Sequence, residues 1–175
     1  MQTEWEALPA AVLVPLYLDG GEWNLLYTRR TDSVDVHRGQ VAFPGGRIEP
    51  GDQSPAEAAL RESEEEIGLR TVDVQVLGQL NPLITVTQFV VTPVIGVIPW
   101  PYRLQPNQEE VAKCFGVPIR WLAESANLEV HSRQPLVPGL TVQVYYFKPY
   151  EGEVIWGVTA RITKSLLDLL AGRAA

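Results

Sequence analysis

The chain is poor in the residues that build disulfides and soft-metal centres. Its 175 residues include one cysteine, Cys114, and two histidines, His37 and His131. A lone cysteine excludes an internal disulfide and a cysteine-rich zinc site. Two histidines leave little for iron or zinc chemistry built on imidazole. Positive charge is scarce as well. The 14 Lys and Arg stand against 21 Asp and Glu, a net charge of −7, which argues against nucleic acid as a partner because its backbone needs a basic face. A small phosphorylated ligand is still admissible, since a metal ion can supply positive charge locally. Long apolar runs are missing too. The two longest, around Ala10–Leu16 and Phe89–Pro99, fall short of the roughly 18–20 residues of a membrane helix. Neither opens the chain with a basic flank and a cleavage site. The expectation is a cytoplasmic protein with neither membrane span nor secretory signal.

What is present fits a single domain over residues 1–175, without internal repeats, low-complexity tracts or linker-like changes of composition. Residues 8–18 read as a strand, Asp19-Gly20-Gly21-Glu22 as a turn and Trp23–Arg29 as a second strand, together a hairpin. Residues 30–38 read as a loop, and 39–43 as a short extended piece ending at Pro44-Gly45-Gly46. Helix punctuation is clearest over residues 54–68. Ser54 suits the N-cap, Pro55 the first helical position and Glu57 the capping-box position, while Gly68 suits a left-handed C-terminus. Ala56, Ala59, Leu60, Ser63 and Ile67 form its inward stripe. Downstream, Val72–Leu77 and Phe89–Ile98 read as strands, the second buried on both faces but with Pro93 marking a break or edge position. Residues 99–108 form a long loop, Glu110–Val117 a strand and Pro118–Ser125 a short helix. Leu128–His131 and Leu140–Phe147 form a hairpin around Pro138-Gly139. Trp156–Leu170 closes as an amphipathic helix with Val158, Ile162, Leu166, Leu169 and Leu170 on one face. Strands on both sides of one central helix, with a terminal helix, imply an α/β fold whose central mixed β-sheet is covered on two faces.

The chemistry concentrates in residues 45–69. Arg61-Glu62-Ser63-Glu64-Glu65-Glu66 places four carboxylates within five consecutive helical positions, and such like charges repel unless a counter-ion is supplied. Glu62 and Glu66 are i,i+4 neighbours and Glu62 and Glu65 are i,i+3 neighbours, so these three share a patch while Glu64 points elsewhere. Hard oxygen donors in this pattern suit Mg²⁺ or Mn²⁺. Arg61 can orient a carboxylate through a bidentate pair, and Gly45-Gly46 lets the backbone approach a ligand or metal. A metal there can polarise a phosphoryl oxygen, with a free carboxylate as general base.

The stretch resembles the Nudix box, G-x5-E-x7-R-E-U-x-E-E-x-G-U with U a bulky aliphatic residue. Gly46, Arg61, Glu62, Glu65, Glu66, Gly68 and Leu69 match. Asp52 replaces the first glutamate, the spacer to Arg61 is one residue longer, and Ser63 replaces the first bulky residue. The resemblance implies an α/β/α sandwich and metal-dependent hydrolysis of nucleoside diphosphate derivatives, with catalysis by Arg61, Glu62, Glu65 and Glu66 and a metal site of Gly45, Glu62, Glu65 and Glu66. It extends to a homodimer. Upstream, Leu26, Thr28, Gly39 and Phe43-Pro44-Gly45-Gly46 resemble the signature of the coenzyme A diphosphatase branch, L-L-T-x-T-[SA]-x3-R-x3-G-x3-F-P-G-G. Asp35 stands where that signature has arginine, so Arg30, His37, Arg38 and Arg47 are the candidates for meeting a phosphate. Coenzyme A is therefore weighed against ADP-ribose, a dinucleotide or a modified nucleotide. An inactive nucleotide-sensing module is the non-enzyme alternative, and retention of all three box carboxylates argues against it.

Glu110, followed by Val111, is the candidate general base, because the branch carries an acid before valine there. Cys114 follows Lys113 but reads as a small buried hydrophobe. Trp121, Tyr145, Tyr146 and Phe147 read as core, and His131 as structural without an evident partner.

Overall fold

The central strand shows why the chain folds in layers. In β1 (Leu8–Asp19), Ala11, Leu13 and Tyr17 belong to one buried cluster and Ala10, Val14 and Leu16 to another. Side chains alternate across a strand, so a strand apolar at both parities must be covered on both sides. The computed structural model describes residues 7–32, 39–133 and 142–173. After β1 come β2 (Glu22–Arg30), β3 (Val41–Ala42), β4 (Gly45–Arg47), α1 (Pro55–Ile67), β5 (Gln75–Gln79), β6 (Leu83–Ile84) and β7 (Phe89–Val97). The remainder is β8 (Val111–Pro118), α2 (Ile119–Ala123), β9 (Leu128–Arg133), β10 (Val142–Phe147) and α3 (Gly157–Leu170).

The main sheet is mixed. Its path runs β3-β2-β1-β7-β5, with β4 on β1, β6 on β7 and β8 on β2. Strands β1 and β7 are parallel and the other pairs antiparallel. Helix α1 packs its Ala58, Ala59, Leu60 and Ile67 against one face, while Ala160, Ile162 and Leu166 of α3 join the cluster on the other. The expected α/β/α arrangement is therefore present. Strands β9 and β10 pair with each other in a separate two-stranded sheet, and the hairpin tip expected at Pro138-Gly139 lies outside the described residues.

Several expectations are corrected. Residues 71–73 form a 3₁₀ turn, and the strand expected at 72–77 is instead Gln75–Gln79. Pro93 does mark a break, lying inside the central strand β7 opposite Val12 where one edge of β7 is between partners. Its carbonyl still accepts from Leu80 N–H at 2.9 Å, and its missing N–H falls where β5 ends and β6 has not begun. The buried face of α3 is Ala160, Ile162, Thr163 and Leu166, while Val158, Leu169 and Leu170 are exposed. The small Ala160 and the self-satisfied Thr163, whose hydroxyl donates to Thr159 O and meets the buried Tyr27 hydroxyl at 2.9 Å, allow that closer seat. His131 has a partner after all, the Glu129 carboxylate at 3.1 Å.

Candidate active site

The site is built on a split in the sheet. Residues 22–25 of β2 pair with β1, but residues 28–29 pair with β3. Along β1, residues 16–19 pair with β2, whereas 10–12 pair with β4. Thus β1 and β2 diverge, and residues 41–47 fill the gap, held further by Leu13 N–H donating to Pro44 O at 2.8 Å. Helix α1 lies against this split, contacting β1 and β4.

Local sequence fixes the helix as expected. Ser54 Oγ accepts Glu57 N–H at 3.2 Å, while the Glu57 carboxylate accepts Gln53 N–H at 2.8 Å. At the far end Gly68 adopts φ 68°, a left-handed conformation that favours glycine. Ser63, in the place of a bulky box residue, is fully buried and satisfies its hydroxyl by donating to Ala59 O at 2.6 Å.

Both glycines of the double-glycine strand serve close approach. A Cβ on Gly46 would lie 2.5 Å from Glu62 Cδ, so glycine is what lets the Glu62 carboxylate lie over β4. A Cβ on Gly45 would lie 2.3 Å from Ala11 O. The N–H of Gly45 donates to Glu66 Oε2 at 3.3 Å. Glu66 is buried, and burial pushes its carboxyl up to about 8, with the charges of Glu62 and Glu110 adding to the effect. Glu62 is raised for the same first reason, burial, against the lowering influence of Arg61.

Arg61 is the hub. Its Nε and Nη2 donate to Asp52 at 3.1 and 3.0 Å, Nη1 to Glu62 at 2.9 Å and to Glu65 at 3.5 Å, and Nη2 also to Arg47 O at 3.1 Å. The Asp52 bond comes first among the causes that hold Arg61 above its ordinary range, and the same bond lowers Asp52. Aspartate in the position of the first box glutamate thus reaches the guanidinium in bidentate fashion, with the extra spacer residue included. Glu65 is the most exposed of the three proposed ligands. Glu64 turns away and accepts from Thr71 N and Oγ1 at 3.3 and 3.1 Å.

The remaining candidates divide. Arg30, at the end of β2, lies near enough to Glu66 for its charge to act on it, and its Nε is buried without a hydrogen-bond partner among the described residues. Glu110 precedes β8 and stands close enough for its charge to act on Glu62 and Glu66. Arg47 is exposed, with its guanidinium over the Phe89 ring at 5.4 Å. His37 and Arg38 lie outside the described residues. Cys114 is partly buried, and burial with the nearby Glu66 charge pushes its thiol up to about 11, which makes it a poor nucleophile. Lys113 turns instead to Glu153 at 2.6 Å.

Sequence reading missed how the 99–110 loop joins the site. Gln105 N–H donates to Ile67 O and Asn107 N–H to Glu66 O, both at 2.8 Å, capping carbonyls that a helix end leaves without partners. Its one sequence signal is Gly68, where a Cβ would lie 2.9 Å from Gln105 Cβ.

A divalent cation fits the donor set chemically. Glu66 is a buried carboxylate whose hydrogen-bond donor is one backbone N–H, beside further carboxylates of like charge. Among the described residues no group of three His, Cys, Asp or Glu side chains is placed to hold a metal ion, so the expected convergence of Glu62, Glu65 and Glu66 is not closed: Glu66 is buried while Glu65 is largely exposed. A divalent cation held there by one or two carboxylates would complete its shell with water and substrate oxygens.

A NUDIX domain model matches residues 7–140. The chain belongs to the Nudix hydrolase family, whose members generally use divalent metal ions. It is 43% identical over 157 residues to a protein of Yersinia enterocolitica named uncharacterized Nudix hydrolase NudL, covering 90% of this chain and 78% of the relative. Among solved structures, the Nudix hydrolase RenU from M. smegmatis superposes with a TM-score of 0.62 at 21% identity, over 97% of this chain and 89% of that one. A C. elegans Ap4A hydrolase binary complex gives 0.55 at 19% identity, over 63% and 80%. No helix among the described residues is long and apolar enough to cross a membrane.

Proposed function

We propose that the protein hydrolyses the diphosphate linkage of a nucleoside diphosphate derivative, with coenzyme A or an acyl-coenzyme A as substrate, giving 3′,5′-ADP and 4′-phosphopantetheine from coenzyme A. The observation that carries the reading is a juxtaposition. A buried Glu66 carboxylate, held by one backbone N–H, feels the charge of Arg30, whose buried Nε–H has no acceptor among the described residues. A metal-bound diphosphate supplies a cation to the carboxylate and an acceptor to the N–H at once. Glu62, Glu65 and Glu66 would hold the metal, which when bound polarises the phosphoryl group and acidifies a water. Gly45 N–H orients Glu66, and Arg61 holds Glu62 and Glu65 in place. Arg30 neutralises charge on the phosphate, a task suited to guanidinium. Water attacks one phosphorus, Glu110 takes its proton, and the anhydride P–O bond breaks with the electrons leaving on the departing phosphate.

Coenzyme A is favoured by Leu26, Thr28, Gly39 and Phe43-Pro44-Gly45-Gly46 in the branch signature. Asp35, in place of that signature's arginine, favours the second reading, in which ADP-ribose, a dinucleotide or a modified nucleotide is cleaved by the same chemistry. This reading implies action in the cytoplasm, and the family resemblance a homodimer. The test is a hydrolysis panel of coenzyme A, ADP-ribose, NADH and nucleoside triphosphates with Mg²⁺ or Mn²⁺. Fastest turnover of coenzyme A is expected. Preference for ADP-ribose moves the substrate to the second reading, and turnover of none of them with either metal, or unchanged turnover by Glu66→Gln, refutes the chemistry.

A further inference from the structure

Glu66 and Glu110 come from elements far apart in sequence, so something must fix their separation. The described hydrogen bonds locate the joint at Asn107. Its N–H donates to Glu66 O at 2.8 Å, which ties the loop to the end of α1. Its own carbonyl accepts Glu110 N–H at 3.0 Å and Val111 N–H at 2.8 Å. Its side-chain Oδ1 accepts Glu109 N–H at 3.2 Å. One residue therefore bonds the backbone of the metal-site helix and the backbone of the three residues that carry the proposed base into β8. On the far side the segment is anchored to the end of β2, with Thr31 N–H donating to Glu110 O and Thr31 Oγ1 to Glu109 O, both at 3.0 Å.

We propose that Asn107 is a positioning residue for catalysis: its side chain closes the turn that holds Glu110 at a fixed distance from the carboxylates of α1. The backbone bonds of Asn107 are open to any residue except proline at the donor. The Oδ1 acceptor is what is particular to Asn, with Asp as its isosteric equivalent. Without it the Glu109 N–H loses its partner, and the turn carrying Glu110 gains freedom. Misplacement of a catalytic group by about 1 Å costs on the order of a hundredfold in rate. Asn107 touches neither substrate nor metal in this assignment, and the proposal rests on Glu110 as general base.

The test compares Asn107→Ala, Asn107→Asp, Glu110→Gln and the double variant Asn107→Ala/Glu110→Gln. Asn107→Ala is expected to lower kcat between about tenfold and a hundredfold with KM within about twofold, and Asn107→Asp to restore kcat to within about threefold. In the Glu110→Gln background Asn107→Ala is expected to cost nothing more, because groups acting as one unit are not additive. Amide hydrogen exchange on the metal-free protein supplies a readout independent of turnover. Exchange at Glu109–Val111 is expected to rise about tenfold in Asn107→Ala while the α1 amides stay protected. Multiplying losses, a wild-type kcat in Asn107→Ala, or unchanged exchange at Glu109–Val111 each overturns the assignment of Asn107. Wild-type turnover in Glu110→Gln removes the general-base reading and this proposal together. Loss of turnover there with a neutral Asn107→Ala removes this proposal alone.

Discussion

Removing the charge of Glu66 should stabilise the metal-free protein at alkaline pH while destroying its function. Glu66 moves from an ordinary value of 4.5 to about 8 because it is buried beside Glu62 and Glu110. A carboxyl raised on folding contributes its full stability below the unfolded value, and that stability is lost as pH rises through the folded one. From 4.5 to about 8, at about 1.4 kcal/mol per pH unit, the loss is at most about 5 kcal/mol. Between pH 5 and pH 8 it is about 3–4 kcal/mol. For a domain of this size that is roughly 10 °C in Tm. The groups lowered by ion pairing, Asp52 and Asp73, lose their contribution only at acid pH, outside this window. Glu62, raised in the same sense, is common to both proteins and drops out of the difference. The assay is a set of thermal melts in chelator from pH 5 to 8. The wild type should lose stability as pH rises, whereas Glu66→Gln should lose much less and melt higher at pH 8. Mg²⁺ added at pH 8 should raise the wild type and leave Glu66→Gln unmoved. Parallel curves for the two proteins in chelator would refute the assignment of a buried, cation-seeking carboxylate.

Four further outcomes are expected. Gly46→Ala places a Cβ against the movable Glu62 side chain. It should change stability by no more than about 1 kcal/mol yet cut turnover on the order of a hundredfold. Gly45→Ala meets the Ala11 and Val12 backbone instead, so chemical denaturation should register a loss of about 3 kcal/mol or more. Ser54→Ala removes the acceptor for Glu57 N–H and should lower stability by about 1 kcal/mol in urea melts without altering kcat. Cys114, with its thiol pushed up to about 11, should resist alkylation at pH 8 in the folded protein and react readily once it is unfolded.

Local signals carried some elements almost intact. Ser54, Pro55, Glu57 and Gly68 delimit α1 by capping chemistry that needs only a few neighbouring residues, and the helix appears at that position. The inward stripe of α3 differs from its hydrophobic period because Val158, Leu169 and Leu170 have the right hydrophobicity but not the right neighbours. Burial there depends on where the sheet and β10 lie, which no period within the helix encodes. Pro93 marks a break in pairing as expected, and it does so inside a central strand rather than at its end. A proline tells of its own missing N–H, but only the pairing of β5 and β6 along β7 decides whether anything needed that donor.

The same division holds for the site. Helical spacing brings Glu62 and Glu65 to the one Arg61 guanidinium, puts Glu62 within electrostatic reach of Glu66 and turns Glu64 away to Thr71, since i,i+3 and i,i+4 geometry is a property of any helix. The fourteen-residue reach from Arg47 to Arg61, the bidentate hold on Asp52, the buried state of Glu66 and the approach of Glu110 are decided by tertiary structure. They depend on β1 and β2 parting to admit residues 41–47, and on a loop hydrogen-bonded to the last carbonyls of α1. Sequence names the carboxylates because a helix brings near neighbours together. Only packing determines which of them leaves water, and burial is what raises Glu66, and to a lesser degree Glu62, above the ordinary carboxylate value.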